Sequence, residues 1–323
     1  MKKYLIVQIL SLVLITLVFL SETRAQALEF PETDYQGLIV KVNQVDLKIS
    51  EYSGKTIKVV GITDKSQWSF KTDGLKILTL EEKTFDQGRD DVMRQKLIIQ
   101  VPSINVSVFA AKVDLQIENL KKDFKLNAIS GKVRIVNSQG DENILLTSGE
   151  ISWENSSGKV IVEGDQLRTV AKNSNLDMDI KVQTLKLEED KNQGHQQIQC
   201  YQGQINLSQT SGGMVIDAIK GSVSSISHQG RLEFTSEDAN LEVRLTKDSE
   251  LIARTKAGKV FVNTNGVTGV FLNLKAQEGD VYLPGAMRPN KNKQESSFKG
   301  RTLGEKTLTK IEVKTNNAAI IIK

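Results

Sequence analysis

Residues Ser130 to Val162 read SGKVRIVNSQGDENILLTSGEISWENSSGKVIV, and this stretch decides the fold. Glycines stand at 131, 140, 149 and 158, nine residues apart. Gly131 leads to Val133 and Ile135, Gly149 to Ile151 and Trp153, and Gly158 to Val160 and Val162. After Gly140 the apolar residue is delayed to Ile144. An apolar period of two is the strand period, so each run predicts a short β-strand with one apolar face. Nine residues hold a strand of about five and a turn of about four. Ser130-Gly131 and Ser148-Gly149 pair these units into one of 18 residues.

The same spacing returns downstream. Gly203, Gly212, Gly221, Gly230 and Ala239 again fall nine apart, although Gly221 is followed by Val223 and then Ser225. Gly258, Gly279 and Ala318 head further apolar alternations, and Asn173-Ser174 reads as a degenerate copy of the Ser-Gly mark. One unit of 18 residues cannot bury its own apolar face, so only a stack of such units is stable. The expected fold is therefore all-β: a β-solenoid, a β-helix-like stack of 18-residue turns built from nine-residue half-turns. An antiparallel sandwich also uses short strands at intervals of 8–12 residues, but it does not require a fixed nine-residue register.

Outside the repeat the register changes. Residues 28–118 are strand-rich without strict spacing and read as an antiparallel capping region that covers the first turn of the stack. The solenoid is expected over 119–323, with two loop excursions. One, near 185–199 (LKLEEDKNQGHQQIQ), is polar, and the other, near 284–306, is basic and loop-like. Trp68 and Phe70 lie two apart on a strand pattern, which places both rings on one face, and Trp153 falls on an inward position.

Residues 1–27 read as a signal peptide. Lys2 and Lys3 precede the apolar run Tyr4 to Leu20, and Ala25-Gln26-Ala27 offers a small-x-small cleavage site. Cleavage after Ala27 predicts export to the periplasm, cell surface or medium; an uncleaved anchor is the alternative, since 17 apolar residues approach the spanning limit. No other segment is long and apolar enough to span a bilayer, so no transmembrane segment is expected after cleavage.

Composition narrows the function classes. The 323 residues carry 43 Lys+Arg against 39 Asp+Glu, a balance that argues against a nucleic-acid binder. One cysteine excludes an internal disulfide framework, and two histidines leave little for a transition-metal centre. No nucleophile-elbow, phosphate-loop or dinucleotide fingerprint occurs.

The segment Leu97 to Gly140 resembles a bacterial family of exported β-repeat proteins, the putative adhesins with a DUF4097-type domain. The likeness rests on Val101-Pro102 closing a strand, on Ser130-Gly131-Lys132-Val133 and Ser148-Gly149-Glu150-Ile151, and on the ending Asn316-Asn317-Ala318-Ala319-Ile320, where alanine replaces the family's glycine. The resemblance covers about residues 40–323 and implies a β-solenoid at the cell envelope; it implies no catalytic, cofactor or metal residues.

Individual residues offer limited chemistry. Asp177 and Asp179 share a strand face and could ligate a hard cation with a carboxylate of an adjacent turn, although a solvated strand face is the simpler reading. The calcium-binding corner pattern is missing, since Gly212-Gly213 is followed by Met214-Val215. His195 and Cys200 could form a base–nucleophile or ligand pair, with His228 the one further imidazole; Cys200 reads more simply as a small semi-buried residue. Arg288, Lys291, Lys293, Lys299, Arg301 and Lys306 form a basic cluster that could touch anionic envelope polymers or lipid head groups, although a solvated loop is the simpler reading. The resulting expectation is a non-enzymatic envelope protein, an adhesin or scaffold, without cofactor or metal. Its partner would be an envelope polymer, a cell surface or an envelope protein. The alternative is an enzyme acting on acidic glycans, for which Asp177, Asp179, Glu242 or Asp280 would supply the carboxylates.

Overall fold

The computed structural model describes residues 27–30, 35–86, 94–302 and 309–323. Apart from Ala27, the leader-like segment lies outside the described residues, as does Lys306. Six strands come first: β1 (Leu28–Phe30), β2 (Gly37–Glu51), β3 (Ile57–Val60), β4 (Trp68–Thr72), β5 (Ile77–Glu82) and β6 (Gln95–Val101). Seven longer ones follow: β7 (Asn105–Glu118), β8 (Phe124–Val136), β9 (Glu142–Glu154), β10 (Ser157–Lys172), β11 (Asn175–Asp190), β12 (Gln196–Ser208) and β13 (Ser211–Leu245). The chain ends with β14 (Glu250–Thr255), β15 (Val260–Asn263), β16 (Phe271–Gln277), β17 (Val281–Tyr282), β18 (Asn290–Lys291), β19 (Glu295–Arg301), β20 (Lys310–Thr315) and β21 (Ile320–Ile322).

From β7 to β13 every strand pairs in parallel with the next, and each residue faces the one 18 positions on. Val108, Leu126, Ile144, Val162, Ile180, Ile198 and Ile216 form one such inward column, and each is fully buried. The chain is thus an all-β solenoid, wound lap upon lap as the nine-residue spacing predicts. Burying each aliphatic side chain contributes about 1.5–3 kcal/mol, and only the neighbouring laps make that burial complete.

The two corners of a lap use different chemistry. At the first, the strand bends without breaking, which is why β10 and β11 run for 16 residues instead of five. Gly149 shows why glycine serves there: its φ is +146°, and a Cβ on it would sit 2.0 Å from the carbonyl oxygen of Gly131 in the lap below. At the second corner one residue is left-handed in every lap: Asn119, Asn137, Asn155, Asn173, Lys191, Gln209 and Ser227, with φ between +48° and +62°. Asparagine tolerates this conformation better than most L-residues. Each of these residues from Asn119 to Gln209 donates its N–H to a carbonyl of the following lap, so the corner is hydrogen-bonded along the stack.

The ends correct the expected boundaries. Residues 28–118 are not wholly an antiparallel cap. Strand β2 lies parallel to β7, with Val40 on Val108, and β5 and β6 lie parallel on the two halves of β2. Among the described residues the antiparallel cover is confined to β1, β3 and β4. The chain lays β2, leaves to build the outer layer, and returns at β7, so no local repeat marks the lap.

The expected excursion at 185–199 is absent as well. Leu185 sits under Gly203 and Val182 under Cys200, in the common register. The segment reads as polar because Glu189, Asn192 and Gln196 point into the interior. Of the expected excursion at 284–306, the described residues 284–302 do leave the stack, and there β18 and β19 form an antiparallel cover on β16. The last strands are not at the end of the solenoid: β20 lies between β14 and β16, and β21 between β15 and β17.

Candidate binding groove

In each lap the residue just before the first inward position projects outward, and the next outward residue lies two further on. On laps β7 to β13 these positions line two cavities of about 400 and 340 Å³ that meet at Lys159. Asn105, Asp123, Asp141, Lys159, Asp177, His195, Gly213 and Arg231 follow one another along this edge. Eight laps at the ~4.8 Å spacing of paired strands make a groove roughly 34 Å long, parallel to the solenoid axis.

The carboxylates of the groove are held by the backbone. The N–H of Asp141 donates to Asp123 Oδ1 at 3.3 Å, that of Lys159 to Asp141 Oδ1 at 3.1 Å, and that of His195 to Asp177 Oδ1 at 2.7 Å. Asp179 pairs with Lys181 at 3.3 Å and Glu233 with Arg231 at 2.5 Å. Gly213 makes room for a ring: a Cβ there would lie 2.8 Å from His195 Nδ1.

Asp177, Asp179 and His195 therefore meet in one groove, whereas the other sequence candidates do not. Among the described residues no group of three or more His, Cys, Asp and Glu side chains is arranged to hold a metal ion. Cys200 is buried between Val182 and Ala218, away from the exposed His195, and burial together with the Asp217 charge pushes its thiol up to about 11. His228 is buried, sits 3.0 Å from Thr210 Oγ1, and is held below the usual imidazole range by burial. Glu242 projects from the other half-lap beside Phe261, and Asp280 pairs with Lys291 near the C-terminal cover. Of the basic cluster, Arg288 is turned onto the carbonyls of Gly285 and Met287.

Both tryptophans are core residues. Trp68 is 4% exposed, and the ring of Phe70 packs 5.6 Å from that of Phe30. Trp153 donates its indole N–H to Glu142 Oε2 at 2.6 Å inside the solenoid. Glu142 and Glu189 are both buried, and burial raises each to about 7. A further cavity of about 520 Å³ opens at the N-terminal end, lined by Val60, Trp68, Glu82, Arg94, Lys96 and Ile98. Arg94 is anchored there by Asp46 and, at 3.0 Å, by Asp114.

Sequence reasoning located Asp177, Asp179 and His195 but not the groove. The signal was the 18-residue recurrence of polar residues at 123, 141, 159, 177 and 195, which becomes readable once the lap length is fixed.

Fold and site together define a β-solenoid with a lateral groove. No protein-family model matches the chain, and no curated protein matches it. The DUF4097-type resemblance accordingly rests on the motifs alone. Among solved structures the chain is similar to one described as a putative cell adhesion protein from Clostridium sporogenes. The match has 10% identity and a TM-score of 0.21, and covers 92% of this chain and 98% of that one. It is also similar to one described as a putative lipid binding protein from Parabacteroides distasonis, with 12% identity, a TM-score of 0.29 and coverage of 94% and 98%. Superpositions this loose inform neither the fold nor the function of this chain.

Proposed function

We propose that this protein is an exported, non-enzymatic binding component of the bacterial cell envelope, acting as an adhesin or scaffold. The observation that carries the reading is the groove itself: exposed polar side chains repeated lap by lap on a rigid stack, suited to an extended partner. The leader-like residues 1–27 support export, and the DUF4097-type resemblance is in keeping with it. No described helix is long and apolar enough to cross a membrane. The test is sedimentation of the chain from Leu28 onward with bacterial envelopes. Saturable co-sedimentation is expected, and its absence across envelope types would remove the proposal.

A second reading, cleavage of acidic glycans, is favoured only by Asp177 and Asp179 sharing the groove. Incubation with acidic polysaccharides and reducing-end detection tests it; no turnover is expected.

A further inference from the structure

We infer that the groove from β7 to β13 binds a neutral, hydroxyl-rich linear glycan lying along the solenoid axis, an inference that rests on the binding role proposed above and names its ligand class. Three features of the groove carry it.

The first is spacing. The edge presents one side chain per lap, hence one every ~4.8 Å, close to the length of one pyranose in an extended chain. A peptide strand is a poorer fit. The inter-lap hydrogen bonds already use the backbone N–H and C=O groups of the groove floor, so an incoming strand finds no ladder to join.

The second is preorganisation. Asp123, Asp141 and Asp177 are each fixed through Oδ1 by a backbone N–H of the following lap. That leaves Oδ2 of each to accept a hydroxyl, in a charge-assisted bond made without freezing a loose side chain. His195 lies against Gly213, where any larger residue would collide with its ring, and so offers a flat surface beside the carboxylates.

The third is charge. The groove holds Asp123, Asp141, Asp177, Asp179 and Glu233 against Lys125, Lys159 and Arg231. Two of the acids are matched by adjacent cations, Asp179 by Lys181 and Glu233 by Arg231. With Lys181 counted, five acids face four cations, so the surface is nearly balanced and selects neither a polyanion nor a polycation. A polymer that exchanges hydrogen bonds without net charge suits it.

The experiment is calorimetric titration of the chain from Leu28 onward, which contains the named strands, with β-1,4-linked glucose and N-acetylglucosamine oligomers of two to six sugars. Affinity should rise with length, by about tenfold from disaccharide to hexasaccharide, as further laps are engaged. Gly213→Phe fills the groove and pushes aside the exposed His195 ring, at a residue with no left-handed φ to strain, and circular dichroism checks that the fold is kept. It should weaken the hexasaccharide by about tenfold or more, and His195→Ala should weaken it less. The inference is overturned if no neutral hexasaccharide binds in the millimolar range, if both variants bind as the parent does, or if polygalacturonate is preferred. Envelope sedimentation of the Gly213→Phe chain separates the two readings. Envelope binding that persists without any glycan binding defeats the groove inference and leaves the envelope role standing. Loss of envelope binding alongside glycan binding supports both.

Discussion

The middle of the solenoid and its two ends obey different rules of order. Between β7 and β13 the chain sequence and the stacking sequence coincide, and every neighbour is 18 residues away. At the ends they part. The inward column runs Leu80, Val40, Val108 at one end and Phe234, Ala253, Val313, Leu274 at the other. At the C-terminus the chain first lays β14 and β15, then β16 and β17, and finally fills the layer between them with β20 and β21. The middle can grow by local addition, which is the usual economy of repeat folds. The ends close only through long-range pairing, which is slower and more costly in loop entropy. Both terminal layers are covered by short antiparallel strands, which blunts the exposed edges.

The sharpest way to break this contrast is a pair of deletions. Removal of residues 309–323 takes away Ile311, Val313, Ile320 and Ile322, all buried, and leaves the layers on both sides unpaired. The expected loss is on the order of 10 kcal/mol in the C-terminal laps, seen as collapsed amide protection over 250–282 and as aggregation. Removal of residues 174–191, one whole lap, brings Val162 onto Ile198 in the same register and should leave a cooperative, soluble solenoid. If the shorter C-terminal deletion proves as mild as the loss of an interior lap, the inserted strand is not a structural key.

This contrast also explains what was legible. The lap length, the inward columns and the all-β class follow from glycines and aliphatics whose spatial neighbours recur at a fixed step. The Val40 to Val108 pairing has no such step, so β2 could not be read as a lap. Glu189, Asn192 and Gln196 misled for another reason: their side chains are polar but inward, and they imitate a surface loop. Of the site, Asp177, Asp179 and His195 were visible as residue types. Their alignment with Asp123, Asp141 and Lys159 was not, because acids, a lysine and an imidazole share only polarity and form a column only when outward positions are read at the 18-residue step.

Those same inward acids give the next test, which concerns how much of the middle's stability depends on a purely apolar interior. Glu142 and Glu189 are raised to about 7, chiefly by burial, from an unfolded value near 4.3. Between those limits the folded chain binds more protons than the unfolded one, so stability is fullest below about pH 4.3 and falls as pH rises towards 7, by about 3 kcal/mol for each acid. His228, lowered by burial, works in the opposite direction below about pH 6.5. Glu118 and Glu188, held below the ordinary range by Lys48 and Lys186, lose their contribution only in more acid solution. Glu142→Gln combined with Glu189→Gln keeps the Trp153 and Gln196 contacts in kind while removing the titration. Urea midpoints should then match the parent near pH 4 and exceed it at pH 8; a parent chain with flat stability between these limits contradicts the buried-acid account.

The smallest expected effect separates the interior from the surface of the same laps. Arg168 spans three laps, lying 3.3 Å from Glu150 and 3.5 Å from Glu188, which suggests a rivet along the stack. Its side chain is 46% exposed, and those of its partners are 35% and 37% exposed, so water and salt screen the attraction. Glu188 also keeps Lys186 at 3.1 Å, the larger cause of its lowered value, so removing Arg168 leaves Glu188 paired and returns Glu150, with its side chain 35% exposed, to water. Arg168→Ala should therefore lower stability by less than about 1 kcal/mol, and the difference should fade in 1 M salt. A loss several times larger, or one that salt leaves intact, would mean that the outer charge ladder and not the aliphatic columns holds successive laps in register.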